Sequence, residues 1–434
     1  MRGLLLLCFA VTPAIQAQTT PIDTAAARLY FNELALLGAA DGGRLWGRPV
    51  NGPMLFAHAG TRTVVANEGD HEGLLKRHGS VWTGTLPQSI NVANAATTFG
   101  GKRWSMVMWP VSDNVYSRGR LMMHESFHRI QDELGLPSSN PSNSHLASAD
   151  ARIYMRLEWR ALTEALLRAG AERKQALEDA LTFRARRVAA SAIAAEEERQ
   201  LEMNEGLAEY TGFMLGGLPA AAVFDRVAVQ LGQYEQQESF VRGFAYASGP
   251  AYALLLDARG IPWRQGLAPS ADLGALAAAA YGITAVAPER AESLMARYSA
   301  ARMIAEERAR ESRRIADEAK LRERFIDGPV LTLPAAGKFS FSFDPNGAAV
   351  LTGAGIVYET SRIADEWGVL EVFSGGVLFL RREDGAFTGI VVAAPSAAEG
   401  EIRGSGWRLT LAPGWSVEPG EGNSGSYKLV PGTR

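Results

Sequence analysis

The chain has 434 residues, with 44 basic and 47 acidic side chains and a formal net charge of −3. That length supports two or three domains with a large core. The near-neutral balance gives no electrostatic reason to expect nucleic acid or an anionic membrane as a partner. Cys8 is the only cysteine, so a disulfide framework within the chain is excluded.

Residues 1–17 read as an export signal. Arg2 supplies the charge, Leu4 to Val11 the apolar stretch, and Ile15-Gln16-Ala17 the cleavage site. Cleavage after Ala17 removes Cys8, and with it thiol catalysis and cysteine-ligated zinc. An exported protein without disulfides suits a bacterial periplasm or culture medium. No later run is long and apolar enough to span a bilayer.

Thr24 to Leu37 carries an apolar-rich helical pattern. Short strand-like segments follow at Arg44–Pro49, Thr63–Ala66 and Ser80–Thr83, between turns rich in glycine and asparagine. Arg103–Pro110 reads as a further strand and closes a β-rich N-terminal lobe assigned to residues 18–116. Leading into a helix, this strand is placed to wall a groove for an extended substrate. Asp70-His71-Glu72 and His78 form a minor polar cluster, read as a loop and helix start.

A predominantly helical region is assigned to residues 117–326. Its first helix contains His124-Glu125-Ser126-Phe127-His128. Met123, Phe127, Ile130 and Leu134 make an apolar stripe at helical spacing, and Gly135 and Pro137 end the helix. Two histidines four apart reach one metal ion from one helical face. Glu125 is then placed to take a proton from a metal-bound water. A buried helix with two merely hydrogen-bonded histidines is the alternative reading of the same residues.

A hydrolytic metal site needs a third ligand. Glu205, in Leu201–Tyr210, is the leading candidate, because Glu205 and Glu209 lie four apart on one helical face. One can ligate while the other holds the second nitrogen of a ligand histidine. Gly206 allows a neighbouring backbone to approach closely. Glu158 is the rival, with an ion pair to Arg156 or Arg160 as its structural reading. His145, in the loop after the metal helix, could swing over a substrate. Met303–Arg324 is dense in both charge signs and reads as a solvated helix face.

Residues 328–434 are assigned to an all-β C-terminal domain. Strands are predicted at Val330–Leu333, Phe339–Phe343, Val369–Phe373, Val377–Leu380 and Trp407–Leu411. It carries no catalytic constellation. The predicted fold class is therefore α+β and multidomain: a β-rich N-terminal lobe, a mostly helical domain bearing the metal motif, and an all-β C-terminal module.

Asn204-Glu-Gly-Leu-Ala-Glu-Tyr210 resembles the N-E-G-[FL]-A-x-Y segment of gluzincin metallopeptidases, the thermolysin-like and aminopeptidase N-like clan. The resemblance implies a zincin-like catalytic domain, Zn2+ as cofactor, Glu205 as third ligand and an acidic residue four later as buttress. Phe244–Asp257 is similar to the Y-x-K-G-A-x-x-x-x-L-L-D stretch of aminopeptidase N-like and glycyl aminopeptidase-like enzymes. That similarity implies Tyr246 as a hydrogen-bond donor to the oxyanion. The matched segments run from Leu121 to Asp257. The interval from His128 to Glu205 is longer than in that clan, which implies a helical insertion, and Ser248 stands where the clan has lysine. No G-x-M-E-N segment precedes the metal helix, so amino-terminus recognition is not implied.

The resulting expectation is an exported zinc metallopeptidase acting on a peptide or protein substrate. His124, His128 and Glu205 bind the metal, Glu125 is the general base and Tyr246 assists. Neither nucleic acid nor stable membrane insertion is expected. The alternative is a non-catalytic binding or scaffold protein, with a structural or degenerate metal site and a partner-binding β module.

Overall fold

Helix α1 (Thr24–Asp41) begins where the Asp23 carboxylate accepts hydrogen bonds from the Ala25 and Ala26 amides. The computed structural model describes residues 22–432 apart from 338, 345–347, 383–385, 397–401 and 421–422. The predicted export signal, with Cys8, lies outside the described residues.

After α1 come β1 (Met54–His58), β2 (Thr63–Ala66), β3 (Lys76–His78), β4 (Val81–Thr85), β5 (Ala95–Phe99) and β6 (Lys102–Trp109). They form one sheet in the order β3-β4-β2-β1-β6-β5. β1 pairs with β6 in parallel and the remaining pairs are antiparallel. The period of two sorts the side chains by face. Met54 and Phe56 join the core shared with the helices, while Leu55 and Ala57 pack with Val64, Trp104 and Met106 on the other side. The predicted groove strand, β6, is interior to this sheet; the edge belongs to β5.

Arg44–Pro49 is a turn rather than the predicted strand. The Asp41 carboxylate accepts from the Gly43 and Leu45 amides and curls the chain there. Trp46 is thereby buried against Phe127, Tyr210 and Trp263.

Helix α2 (Val115–Ile130) is capped by Asn114, whose side chain accepts from the Ser117 amide. It is followed by α3 (Ala149–Leu167), α4 (Gly170–Val188), α5 (Ala194–Leu201), α6 (Leu207–Leu215), α7 (Ala220–Tyr234) and α8 (Phe244–Asp257). Then come α9 (Leu273–Ala280), α10 (Ala291–Leu294) and α11 (Ala300–Arg322). A π-helical turn, Glu202–Gly206, joins α5 to α6. The interval between His128 and Glu205 is filled mainly by α3, α4 and α5, with α3 packed on α4, α7, α8 and α11. Along α11, pairs such as Arg302–Glu306 and Lys320–Asp317 stay at the surface, while Glu307 turns inward to Arg152 and Arg156.

The C-terminal strands are β7 (Val330–Pro334), β8 (Ser340–Phe343), β9 (Ala348–Leu351), β10 (Gly355–Tyr358), β11 (Ser361–Asp365) and β12 (Gly368–Val372). They continue with β13 (Val377–Arg381), β14 (Phe387–Ala393), β15 (Ile402–Gly404), β16 (Trp407–Leu411), β17 (Trp415–Pro419) and β18 (Tyr427–Pro431). One sheet runs β17-β18-β7-β14-β13-β10-β9 and the other β15-β16-β12-β11-β8. Leu331, Leu333, Ile363, Trp367, Leu370 and Ile390 pack between them. The architecture is thus α+β, with a helical middle and a strand-rich C-terminal module. No helix among the described residues is long and apolar enough to cross a membrane.

Candidate metal centre

One turn of α2 separates His124 from His128 and brings their Nε2 atoms to 3.2 Å. Glu205 reaches the same point from the π-helical turn, a local distortion often found at functional sites. Its Oε2 lies 3.5 Å from His124 Nε2 and 3.4 Å from His128 Nε2. The three donors therefore form a nearly equilateral triangle. Bonds of about 2.1 Å to a tetrahedral cation place ligand atoms about 3.4 Å apart, so the donor set fits such an ion. Among the described residues, His124, His128 and Glu205 form a group that could hold a metal ion.

The far side of each imidazole is held. His124 Nδ1 lies 3.0 Å from Glu209 Oε2, and His128 Nδ1 lies 2.8 Å from Gln131 Oε1. Gln131 in turn donates to Asn204 Oδ1 at 2.9 Å. These contacts direct both Nε2 atoms at the common point and increase their basicity. Glu209 also accepts from Arg120 at 2.9 Å and from Gln230 at 3.0 Å. The two oxygens of Glu205 are distinguished in the same way. Oε1 accepts from Asn204 Nδ2 and Arg242 Nη2, each at 3.2 Å, and Oε2 faces the histidines and accepts from the Tyr246 hydroxyl at 2.6 Å. The Tyr246 ring is stacked on His124, 5.6 Å between centroids and 4° between planes.

The imidazoles and carboxylates of the site hold one another's charges. Burial opposes charge on His124, yet the Glu205 and Glu209 carboxylates outweigh it and raise its pKa to about 10. Glu205 is held well below the usual carboxylate range: burial works against this, and hydrogen bonding to the two histidines prevails. The two shifts have one cause: carboxylates and imidazoles converging on the same point. Glu125, only 3 % exposed, is pushed up by burial against the opposing pull of the histidines. Its Oε2 has no hydrogen-bond partner.

Close helix contact makes the convergence possible. A Cβ on Gly249 of α8 would sit 2.4 Å from the Gly206 Cα, a separation no side chain tolerates. The glycine pair lets α8, which carries Tyr246, lie directly against the turn that carries Glu205.

The structure thus brings His124, Glu125, His128, Glu205 and Tyr246 together, with Glu209 behind them. They border a cavity of about 1200 Å³ that also takes in Ala95 and Ala96 of the edge strand β5. No residue of α3, α4 or α5 lines it. Glu158 is elsewhere, fully buried in an ion cluster with Arg187 and Arg184, and accepts from the Tyr252 hydroxyl at 2.7 Å. Its expected partners Arg156 and Arg160 pair instead with Glu307 and Glu235. Asp70 accepts from the Glu72, Leu74 and Leu75 amides in a loop, and His78 is exposed on β3 rather than near a helix start.

His145 does not face the cavity. Its Nε2 lies 2.8 Å from Glu198 and its Nδ1 3.8 Å from Glu197. Burial lowers its pKa, but the two carboxylates prevail and the net shift is upward. A raised folded-state pKa means that protonated His145 stabilises the fold fully below its ordinary value of about 6.5. The contribution is lost as pH rises through the folded value. His145→Gln is therefore expected to cost about 1–3 kcal/mol at pH 6, with the difference from wild type shrinking at pH 9. Urea unfolding at the two pH values checks this.

Sequence reasoning missed Arg242, Asn204, Arg120 and Gln230 as the groups that set the carboxylates. Arg242 stands four before Tyr246 and Asn204 directly before Glu205, which are usable signals; Arg120 and Gln230 meet Glu209 only through tertiary packing. Compared with protein-family models, curated proteins and solved structures, the chain matches none of them.

Proposed function

We propose that the protein is an exported zinc-dependent metallopeptidase of the gluzincin kind, cleaving peptide bonds in peptide or protein substrates. The observation that carries this reading is the His124–His128–Glu205 triangle opening into a cavity beside a buried, unpartnered Glu125 oxygen. A purely structural site has no use for that carboxylate. The donor set of two imidazoles and one carboxylate suits zinc, and three protein ligands leave a further position.

Zinc, when bound, supplies a Lewis acid that acidifies water and polarises the scissile carbonyl. Glu125 accepts the proton of the attacking water and delivers it to the leaving amine as the C–N bond breaks. Burial raises its pKa above the ordinary carboxylate value, which favours its holding the proton between accepting it from water and passing it on. Tyr246, held against the ligand carboxylate, is the hydroxyl that the resemblance assigns to the developing oxyanion; such a donor contributes about 3–4 kcal/mol. β5 presents an unpaired backbone edge along the same cavity, a surface on which an extended chain can add as a strand. The signal-like pattern of residues 1–17, with Arg2 before the apolar stretch Leu4 to Val11, supports export to a periplasm or the medium.

Incubation with an unfolded protein, followed by mass spectrometry of fragments, tests the reading. New peptide termini, suppressed by a zinc chelator, are expected. Intact substrate after prolonged incubation with the zinc-loaded protein argues against peptidase activity.

A further inference from the structure

The metal-centre cavity has a second wall, built by the C-terminal module. Strands β8, β11, β12 and β16 contribute to it, among them Phe343 and Arg362, with Phe373 directly after β12. Two attachments hold this wall in place. Arg362 donates to Asn91 Oδ1 at 2.5 Å and to the Gln88 carbonyl at 2.6 Å. Both residues belong to the segment that runs into β5. Arg62 also fixes this segment, donating to the carbonyls of Leu86 at 3.3 Å and Pro87 at 2.6 Å. The second attachment starts at Val241, which is buried in the core of the C-terminal module. Its neighbour Arg242 donates to Glu205, and the Arg242 guanidinium lies 5.4 Å from the Phe343 ring centroid. The module is thereby bonded to the segment leading into the edge strand β5 and packs against Arg242, which itself donates to Glu205.

Phe373 is the informative residue of this wall. Val372 beside it is buried, yet Phe373 is 62 % exposed and lines the cavity. Among the described residues, Met108 is the other exposed large apolar side chain that does so. An uncovered ring on a concave surface continuous with a candidate catalytic centre marks a place for an apolar group. The cavity, at about 1200 Å³, exceeds the roughly 300–1,000 Å³ of small-molecule sites. Together with the open edge of β5, that size favours an extended chain over a free amino acid.

We propose that the C-terminal β module is the specificity wall of the enzyme, and that Phe373 contacts a large apolar side chain of an extended peptide substrate. This rests on the metallopeptidase reading above. The test uses full-length, zinc-loaded wild type, Phe373→Ala and Phe373→Asp, with a peptide library varied at each position around the cut.

Wild type is expected to favour a large apolar residue at one position. Phe373→Ala should lower kcat/KM for those peptides about tenfold, chiefly through KM. Phe373→Asp should move the preference toward lysine or arginine. Zinc content should be unchanged in both, and a fluorescent apolar peptide should bind Glu125→Gln more tightly than Glu125→Gln/Phe373→Ala. Wild-type cleavage profiles in both variants, with equal binding in the two Glu125 proteins, overturn the proposal. A zinc-loaded wild type that cleaves no peptide overturns the peptidase reading itself.

Discussion

Replacing Glu125 with glutamine is expected to reduce peptide hydrolysis by about 10²–10⁴-fold while leaving zinc content unchanged. The amide keeps the volume and polarity of a side chain that is 3 % exposed, so the site stays packed. It removes the carboxylate whose Oε2 is unpartnered, whereas Glu205 and Glu209 are held against the histidines. Glu125 adjoins the candidate ligands without joining them: His124, His128 and Glu205 are the residues whose donor atoms converge. Metal analysis and hydrolysis, measured on the same preparation, separate the two roles. Hydrolysis at the wild-type rate in Glu125→Gln would remove Glu125 from the mechanism.

The second large effect separates the two candidate third ligands. Glu205→Ala removes one corner of the donor triangle and leaves Arg242 without this carboxylate partner. Zinc affinity is expected to fall by more than the roughly 10–100-fold that loss of an outer partner costs. Glu158→Ala is expected to keep its zinc and to lose stability instead, by about 3–5 kcal/mol, because it breaks a buried ion pair with Arg187. Competition with a fluorescent zinc chelator and urea unfolding resolve the two outcomes. Zinc loss in Glu158→Ala with retention in Glu205→Ala would reverse the assignment.

What was legible in the sequence was local. The pairing of His124 with His128 follows from helical spacing alone, and the structure places both on one side of α2, with Gln131, just past its end, holding His128. The spacing of Glu205 and Glu209 gave both roles that their geometry now fits: one carboxylate at the triangle, the other behind His124. Five of the twelve C-terminal strands described were legible because alternating apolar residues are strong there, as in Trp407–Leu411; β9, β10, β11, β14, β15, β17 and β18 were not picked out.

Less legible were features set by distant partners. β5 has the weak pattern Ala-Ala-Thr-Thr-Phe and was overlooked; its signal is Gly100-Gly101, a hairpin turn leading into β6. Glu158 has arginines one helical step away at Arg156 and Arg160, but α4 brings Arg184 and Arg187 to it, a pairing that depends on how two helices pack. The part played by the C-terminal module at the cavity likewise comes from docking between distant segments, through Arg362 and Val241.

The account is tested most directly by titrating zinc into the metal-free protein while following hydrolysis of an unfolded protein substrate. Activity should be absent without metal, rise in proportion to added zinc and level off at about one equivalent per chain. Hydrolysis that is already complete without metal, or that stays absent at every zinc ratio, would contradict it.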